Sequence, residues 1–295
     1  MPINPSGHPL RLVSLGGGNM AQALLTGLLR SPCPLAELII IEPLSGTRDI
    51  LNKSVGTAAQ SSGVAFSCHA SVEEACHLQA PDWVLLAVKP QHARAALVEI
   101  GAAARAWLGQ GALLSIAAGL PLKTLQEWIG HNQLVRSMPN TPALVGQGIS
   151  GAFASPQLPA ASTSQAHRLL EAVGPVIWVE DEALLDAVTA LSGSGPAYVF
   201  RFIEGLCMAG IQLGLSAQQA DQLARATVSG AMALLNASAD SPASLREKVT
   251  SRGGTTEAAL KVFEDGGLVP LIEAAIRAAS DRSAALGQEL GRESK

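Results

Sequence analysis

The sequence predicts an α/β chain: a mainly parallel, doubly wound sheet in residues 1–180, followed by an all-helical region in residues 181–295. Three observations carry that prediction. Short apolar runs alternate with helical segments as far as Val179. The first run leads through a glycine turn directly into a helix. Beyond Asp181 every patterned segment has the helical period. The composition agrees, since 295 residues allow two domains, and 48% hydrophobic with only 3% aromatic residues describes an Ala- and Leu-rich interior that favours helices.

In chain order, Leu10 to Leu15 is the first apolar run, and Met20, Leu24, Leu25 and Leu28 give the helix that follows it. Between them Gly16-Gly17-Gly18-Asn19-Met20-Ala21 reads G-x-G-x-x-A. Gly16 permits a tight turn, Gly18 lets a pyrophosphate approach the backbone, and Ala21 lets the helix pack on the strand. Leu38 to Ile41 is the second strand. It ends in Glu42, about twenty positions past Ala21, where an acid would bond ribose hydroxyls and favour NAD. Ser45, Thr47 and Arg48 follow closely and would suit a 2′-phosphate instead, so the coenzyme signal is mixed. The plainer reading has Glu42 ending a strand in solvent.

Further strands are expected at Val64–Phe66, Trp83–Val88, Leu113–Ile116 and Leu134–Ser137, with helices at Ala93–Trp107 and Leu122–Ile129. In such sheets ligands sit beyond the carboxyl ends of the strands. Three stretches fall there: AVKPQ (Ala87–Gln91), IAAG (Ile116–Gly119) and SMPNTPALVGQG (Ser137–Gly148). After Gly151 the pattern gives a loop rich in Ala, Ser and Pro, a helix near Ser164–Val173 and a strand at Val176–Val179.

The helical region is read as Ala183–Leu191, Pro196–Leu213, Ala217–Leu235, Pro242–Val249, Glu257–Glu264 and Val269–Leu290. Ser216 with Gln219 makes a capping box, Pro196 and Pro242 suit first helical positions, and Gly214 and Gly266 suit helix ends. Val199, Phe202, Ile203, Leu206 and Leu213 share one face, a stripe for a core or a subunit interface. Two stretches here place hydroxyls and glycines at helix ends, Asp186–Phe200 (DAVTALSGSGPAYVF) and Val249–Leu260 (VTSRGGTTEAAL). A cleft of hydroxyls and N–H groups without histidine would hold a small anion and leave the chemistry to a cofactor.

A formal charge of −4, from 20 basic and 24 acidic residues, offers no broad basic field, so no nucleic acid partner is expected. A charged fraction of 15% implies apolar surface covered by another subunit. Cys33, Cys68, Cys76 and Cys207 form no C-x-x-C pair. A zinc site from Cys68, His69, Cys76 and His77 is disfavoured, because adjacent strand residues point to opposite faces; no metal is expected. The opening MPINPSGHPLRL has no targeting pattern and no apolar run reaches membrane-spanning length, so no membrane association and a cytoplasmic, reduced location are expected.

GGGNMA, AVKPQ, SIAAG, SMPNTPALVGQG, DAVTALSGSGPAYVF and VTSRGGTTEAAL, in that order, resemble the pyrroline-5-carboxylate reductase family, the last enzyme of proline synthesis. The resemblance implies a Rossmann-type N-terminal domain binding NAD(P)H and an all-helical C-terminal dimerisation domain, in a homodimer or a ring of dimers. It implies an imino-acid substrate whose carboxylate rests on N–H groups from Gly253, Gly254, Thr255 and Thr256, with Ser251 adding a contact. Thr256 matches the catalytic threonine whose hydroxyl meets the ring nitrogen. The implied cofactor contacts are Gly16, Gly18, Asn19, Met20, Ala21, Ala87, Val88, Lys89, Pro90, Ala117, Ala118 and Gly119. Arg136 lies near the same floor; on the plainer reading, it and Lys89 are solvated side chains, Thr255 and Thr256 are helix caps, and Ser192, Ser194 and Gly195 are a helix break before Pro196. Two departures stand out: Arg252, where the family commonly has proline, and Glu42, where many NADPH-using members have no acid. The family habit favours NADP (NADPH); Glu42 leaves NAD (NADH) open. Alternatives are a reductase of a related imine, a hydroxyacid dehydrogenase, and a non-catalytic dinucleotide-binding regulator.

Overall fold

The computed structural model describes residues 9–31 and 35–292. The opening residues Met1 to His8, read above as free of a targeting pattern, and Cys33 lie outside them. The chain forms two compact units. The first runs to Gly193 and takes up the chain again from Ala279; the second is Ser194–Ala278.

The first unit is built on an eight-stranded sheet: β1 (Leu10–Leu15), β2 (Leu35–Ile41), β3 (Ala65–His69), β4 (Trp83–Leu86), β5 (Ala112–Ser115), β6 (Leu134–Pro139), β7 (Ser150–Ala154) and β8 (Val176–Trp178). Their order is β3-β2-β1-β4-β5-β6-β7-β8. Every pairing is parallel except β6 with β7. The central strands β1, β2, β4 and β5 are nearly continuous apolar runs because both sheet faces are covered there. Alternate residues feed two cores: Leu12, Leu38, Ile40 and Leu85 join one, whereas Val13, Leu15, Ile39 and Leu86 join the other. Strand order reverses at β1 and β4, which places a crevice at their carboxyl ends.

The covering helices are α1 (Asn19–Arg30), α2 (Ser45–Leu51), α3 (Thr57–Ser61), α4 (Val72–Ala75), α5 (Pro90–Leu97), α6 (Ala102–Leu108), α7 (Leu122–Ile129), α8 (Ala160–Glu171) and α9 (Leu184–Val188). A π-helical turn at Asn52–Gly56 joins α2 to α3, and another at Thr189–Gly193 follows α9. Leu24, Leu25 and Leu28 of α1 are fully buried, as their spacing predicts, and Met20 packs at the core's margin.

Two expectations are corrected. The single helix read over Ala93–Trp107 is α5 and α6, broken at Gly101, whose extended backbone starts α6 and whose N–H donates to Glu73 at 2.9 Å. The loop read after Gly151 begins as β7, an antiparallel strand on β6. Its sequence, SGAFA, contains no β-branched residue, so local preference gives no strand signal; pairing on both sides makes it one.

The second unit is helical throughout: α10 (Gly195–Gln212), α11 (Ala217–Asn236), α12 (Pro242–Lys248), α13 (Thr255–Asp265) and the start of α14 (Leu268–Arg292). The capping box forms, with Ser216 Oγ accepting the Gln219 N–H and the Gln219 side chain accepting the Ser216 N–H. A Cβ on Gly210 would meet Ala220 Cβ at 3.3 Å, so α10 and α11 cross closely. The 18-residue α10 nevertheless fully buries none of its side chains within one chain; in its apolar stripe Val199 and Phe202 are exposed, and Ile203 and Leu206 half-buried.

The later part of α14 belongs to the first unit. Ser283 Oγ donates to Asp186 Oδ1 at 2.7 Å, and a Cβ on Gly287 would meet the Gly119 carbonyl oxygen at 3.0 Å. Among the described residues no helix is long and apolar enough to cross a membrane, Cys68, Cys76 and Cys207 are free, and no group of three or more His, Cys, Asp or Glu is placed to hold a metal.

Candidate active site

At the end of β1 the chain must turn sharply between two neighbouring strands. Gly16 does this with φ of 95°, its N–H donating to the Ile41 carbonyl at 2.8 Å. A Cβ there would lie 2.9 Å from the Ala87 carbonyl oxygen, so both conformation and space demand glycine. Gly18 differs. Its Cβ would meet nothing within 4 Å, and it opens α1 without a side-chain cap. The start of α1 is thus uncapped beside the exposed Gly18 and Asn19, the arrangement that takes a phosphate, while Ala21 is buried.

Beside this turn lies a cavity of ≈ 690 Å³ whose wall includes Gly16, Gly18, Glu42, Thr47, Val88 and Lys89. Ala87 also lines it from the end of β4; Lys89 precedes α5, and Pro90 is that helix's first residue. Glu42 is buried rather than solvated at the strand end. Its Oε2 accepts the Gly17 N–H and its Oε1 the Leu44 N–H, each at 3.0 Å. Arg48 is turned to the backbone, Nη1 donating to the carbonyls of Glu42 at 2.8 Å and Pro43 at 2.7 Å. Glu73 lines the far part of the cavity, and the Gly101 N–H holds its carboxyl below the usual carboxylate range.

The other sheet-end stretches are set apart from this cavity wall. Ala117 is buried with its N–H on Ser115 Oγ, Ala118 is exposed, and Gly119, with φ of 77°, packs under Gly287. Arg136 is not a solvated side chain: it is buried and paired with Glu182 at 2.9 Å. Glu182 Oε1 also accepts the Leu122 N–H at 2.8 Å, a link across sixty residues that no sequence pattern announces. Asn140 joins two elements, accepting the Ile149 N–H at 3.0 Å and donating to Ser192 at 3.3 Å. Burial pushes the Cys68 thiol up, away from the thiolate that a metal would need.

In the helical unit, the stretch from Val249 makes a compact loop into α13. Gly253 has φ of 70°, and the Gly254 N–H donates to the Ser251 carbonyl at 3.0 Å. Ser251 Oγ covers Gly254 so closely that a Cβ would sit 2.5 Å from it. The Gly253 N–H donates to Glu257 Oε2 at 2.6 Å, a contact missed in the sequence although Glu257 stands at a capping position. No side chain caps the start of α13, leaving the N–H groups of Thr255 and Thr256 as its first-turn donors. Arg252 is exposed and Thr256 half-buried.

The residues of the first unit suit a nicotinamide dinucleotide. Open space over Gly18 and an uncapped helix start answer a pyrophosphate, and the adjoining cavity, walled by Leu15, Ile41, Val72 and Val88, answers an adenosine.

Comparison with known proteins supports this. A family model described as pyrroline-5-carboxylate reductase dimerisation matches residues 182–286, and one described as NADP oxidoreductase, coenzyme F420-dependent, matches residues 11–119. The pyrroline-5-carboxylate reductase of Pseudomonas aeruginosa is 42% identical over 282 residues, 95% of this chain and 98% of that protein. Among solved structures, the Coxiella burnetii pyrroline-5-carboxylate reductase aligns with a TM-score of 0.82 at 32% identity, covering 95% of this chain and 99% of the other. The Plasmodium falciparum pyrroline carboxylate reductase, solved with NADP bound, aligns with a TM-score of 0.75 at 28% identity, covering 94% and 98%. The chain belongs to the pyrroline-5-carboxylate reductase family: it is an oxidoreductase that depends on a nicotinamide dinucleotide.

Proposed function

We propose that the chain reduces the C=N bond of 1-pyrroline-5-carboxylate to give L-proline, the closing step of proline biosynthesis. The observation that carries this reading is the second stretch: a loop of hydroxyls and glycines feeding an uncapped helix start, in a chain whose other unit has the features of a dinucleotide site. Bound, the dinucleotide supplies a hydride to the imine carbon. What remains for the chain is to hold a small anion and steer one nitrogen. The N–H groups of Thr255 and Thr256 face outward from a helix start, where the macrodipole favours a carboxylate. Ser251, Gly253 and Gly254 complete that subsite, the Gly253 N–H donating to Glu257 and the Gly254 N–H to the Ser251 carbonyl. The Thr256 hydroxyl orients the iminium nitrogen and passes a proton to or from the forming amine.

Gly16, Gly18, Asn19, Met20 and Ala21 hold the pyrophosphate, Ala87 to Pro90 the adjoining wall, and Ala117 to Gly119 the floor beyond β5. A hydroxyacid dehydrogenase of this plan would need a lysine on the helix opening the second unit, and α10 contains none. The apolar stripe of α10 meets its counterpart in a second copy, giving a homodimer or a ring of dimers in the cytoplasm. The family habit favours NADPH as hydride source, with NADH open because of Glu42. The test is purified protein with pyrroline-5-carboxylate and NADPH or NADH in parallel, followed at the nicotinamide absorbance. Turnover supports the reading; no turnover with either coenzyme, in protein shown to bind one of them, refutes it.

A further inference from the structure

Glu42 is held on both oxygens. The Gly17 and Leu44 N–H groups reach it at 3.0 Å each, and it is buried while still facing the cavity. Swinging the carboxylate away would leave two backbone donors unsatisfied and break two charge-assisted hydrogen bonds. The neighbouring cation, Arg48, has its Nη1 turned to two carbonyls at the strand end and is not part of the cavity wall. Of the other titratable groups on the cavity wall, Glu73 adds negative charge, Lys89 is a lysine at the start of α5 rather than beside β2, and His92 lies in the first turn of that helix.

We infer that Glu42 is a fixed acidic wall on the ribose side of the cavity, so that this chain binds NADH in preference to NADPH, and that the same carboxylate anchors the glycine turn. The inference rests on reading this cavity as the dinucleotide site, and it reverses the coenzyme preference that the family resemblance implies. Each oxygen of Glu42 keeps lone-pair capacity for a ribose hydroxyl, whereas a 2′-phosphate brings negative charge against a carboxylate with nowhere to go. The double role has its own consequence. An amide at position 42 presents one acceptor to two N–H donors, so relieving the repulsion also loosens the turn.

The experiment is calorimetric titration of the full-length protein with NADH, NADPH, ADP-ribose and 2′-phospho-ADP-ribose, without substrate, at low and high salt. The wild type is expected to bind each nucleotide lacking the 2′-phosphate at least about tenfold more tightly at low salt, with the gap narrowing as salt screens the repulsion. Glu42→Gln is expected to move the ratio towards NADPH while weakening both coenzymes several-fold. Wild-type protein that binds NADPH as well as NADH overturns the inference. So does a Glu42→Gln variant whose affinities fall together at unchanged ratio, which is the result for an anchor alone. Binding of no nucleotide at all overturns the reading of the cavity, and this inference with it, whereas imine turnover would be judged separately.

Discussion

Thr256 concentrates the proposed chemistry in one hydroxyl. It is no strong acid, so its loss should cost about 10- to 1000-fold in kcat/KM, the scale of one polar contact made mainly in the transition state. Thr256→Ala is expected to do this with coenzyme affinity and oligomeric state intact, and Thr256→Ser to keep much of the activity. A Thr256→Ala variant that turns over normally and only melts earlier would mark a helix cap. A second residue bears on pH. Burial pushes the His131 imidazole below its ordinary value of 6.5, outweighing the opposing pull of the Gly111 backbone. The folded state then binds its proton less readily than the unfolded state, so stability is full above about 6.5 and is lost as pH falls from there through the folded value. Thermal melts between pH 7.5 and 5 should show a shallower acid decline for His131→Asn than for the wild type, and identical slopes would dismiss His131 as the cause. At this scale the sequence was legible where chemistry is local. The glycine turn and Thr256 stand in recognisable short motifs. The pairs Glu42 with Gly17, Arg136 with Glu182 and Ser283 with Asp186 are hidden, because each joins positions far apart whose meeting depends on the sheet.

Among the elements, β1, α1 and α7 lie where their periodicity places them, since each carries a full apolar face and a clear boundary. The break at Gly101 and the strand β7 were not legible, the first because Ala-rich sequence continues a helical period through it, the second because SGAFA, without a β-branched residue, gains its shape from its neighbours. The stripe on α10 was legible as a pattern with its purpose open between core and interface. Phe202, 49% exposed, and Val199, 46% exposed, now exclude the core of a single chain. Phe202→Glu is accordingly expected to convert the assembly towards monomer, read by sedimentation, because the charge would have to be buried without a partner. Retention of the wild-type mass would place the interface on another face.

For the molecule as a whole, the sequence pattern turns all-helical near Glu180, but the first compact unit runs on to Gly193 and takes in the later part of α14, which was not legible, since nothing in a helix's own sequence names what it packs against. Gly287→Val should press on the Gly119 carbonyl and cost about 1–3 kcal/mol, seen as a lower Tm. An unchanged Tm would show that this contact yields freely. The return of α14 also bears on biosynthesis. A ribosome delivers the sheet unit in two separate pieces, the second only after the entire helical unit has emerged. A nascent chain that stalls before Ser283 therefore carries a complete sheet with the Gly119 turn still bare, and the packing of that turn waits on the translation of α14.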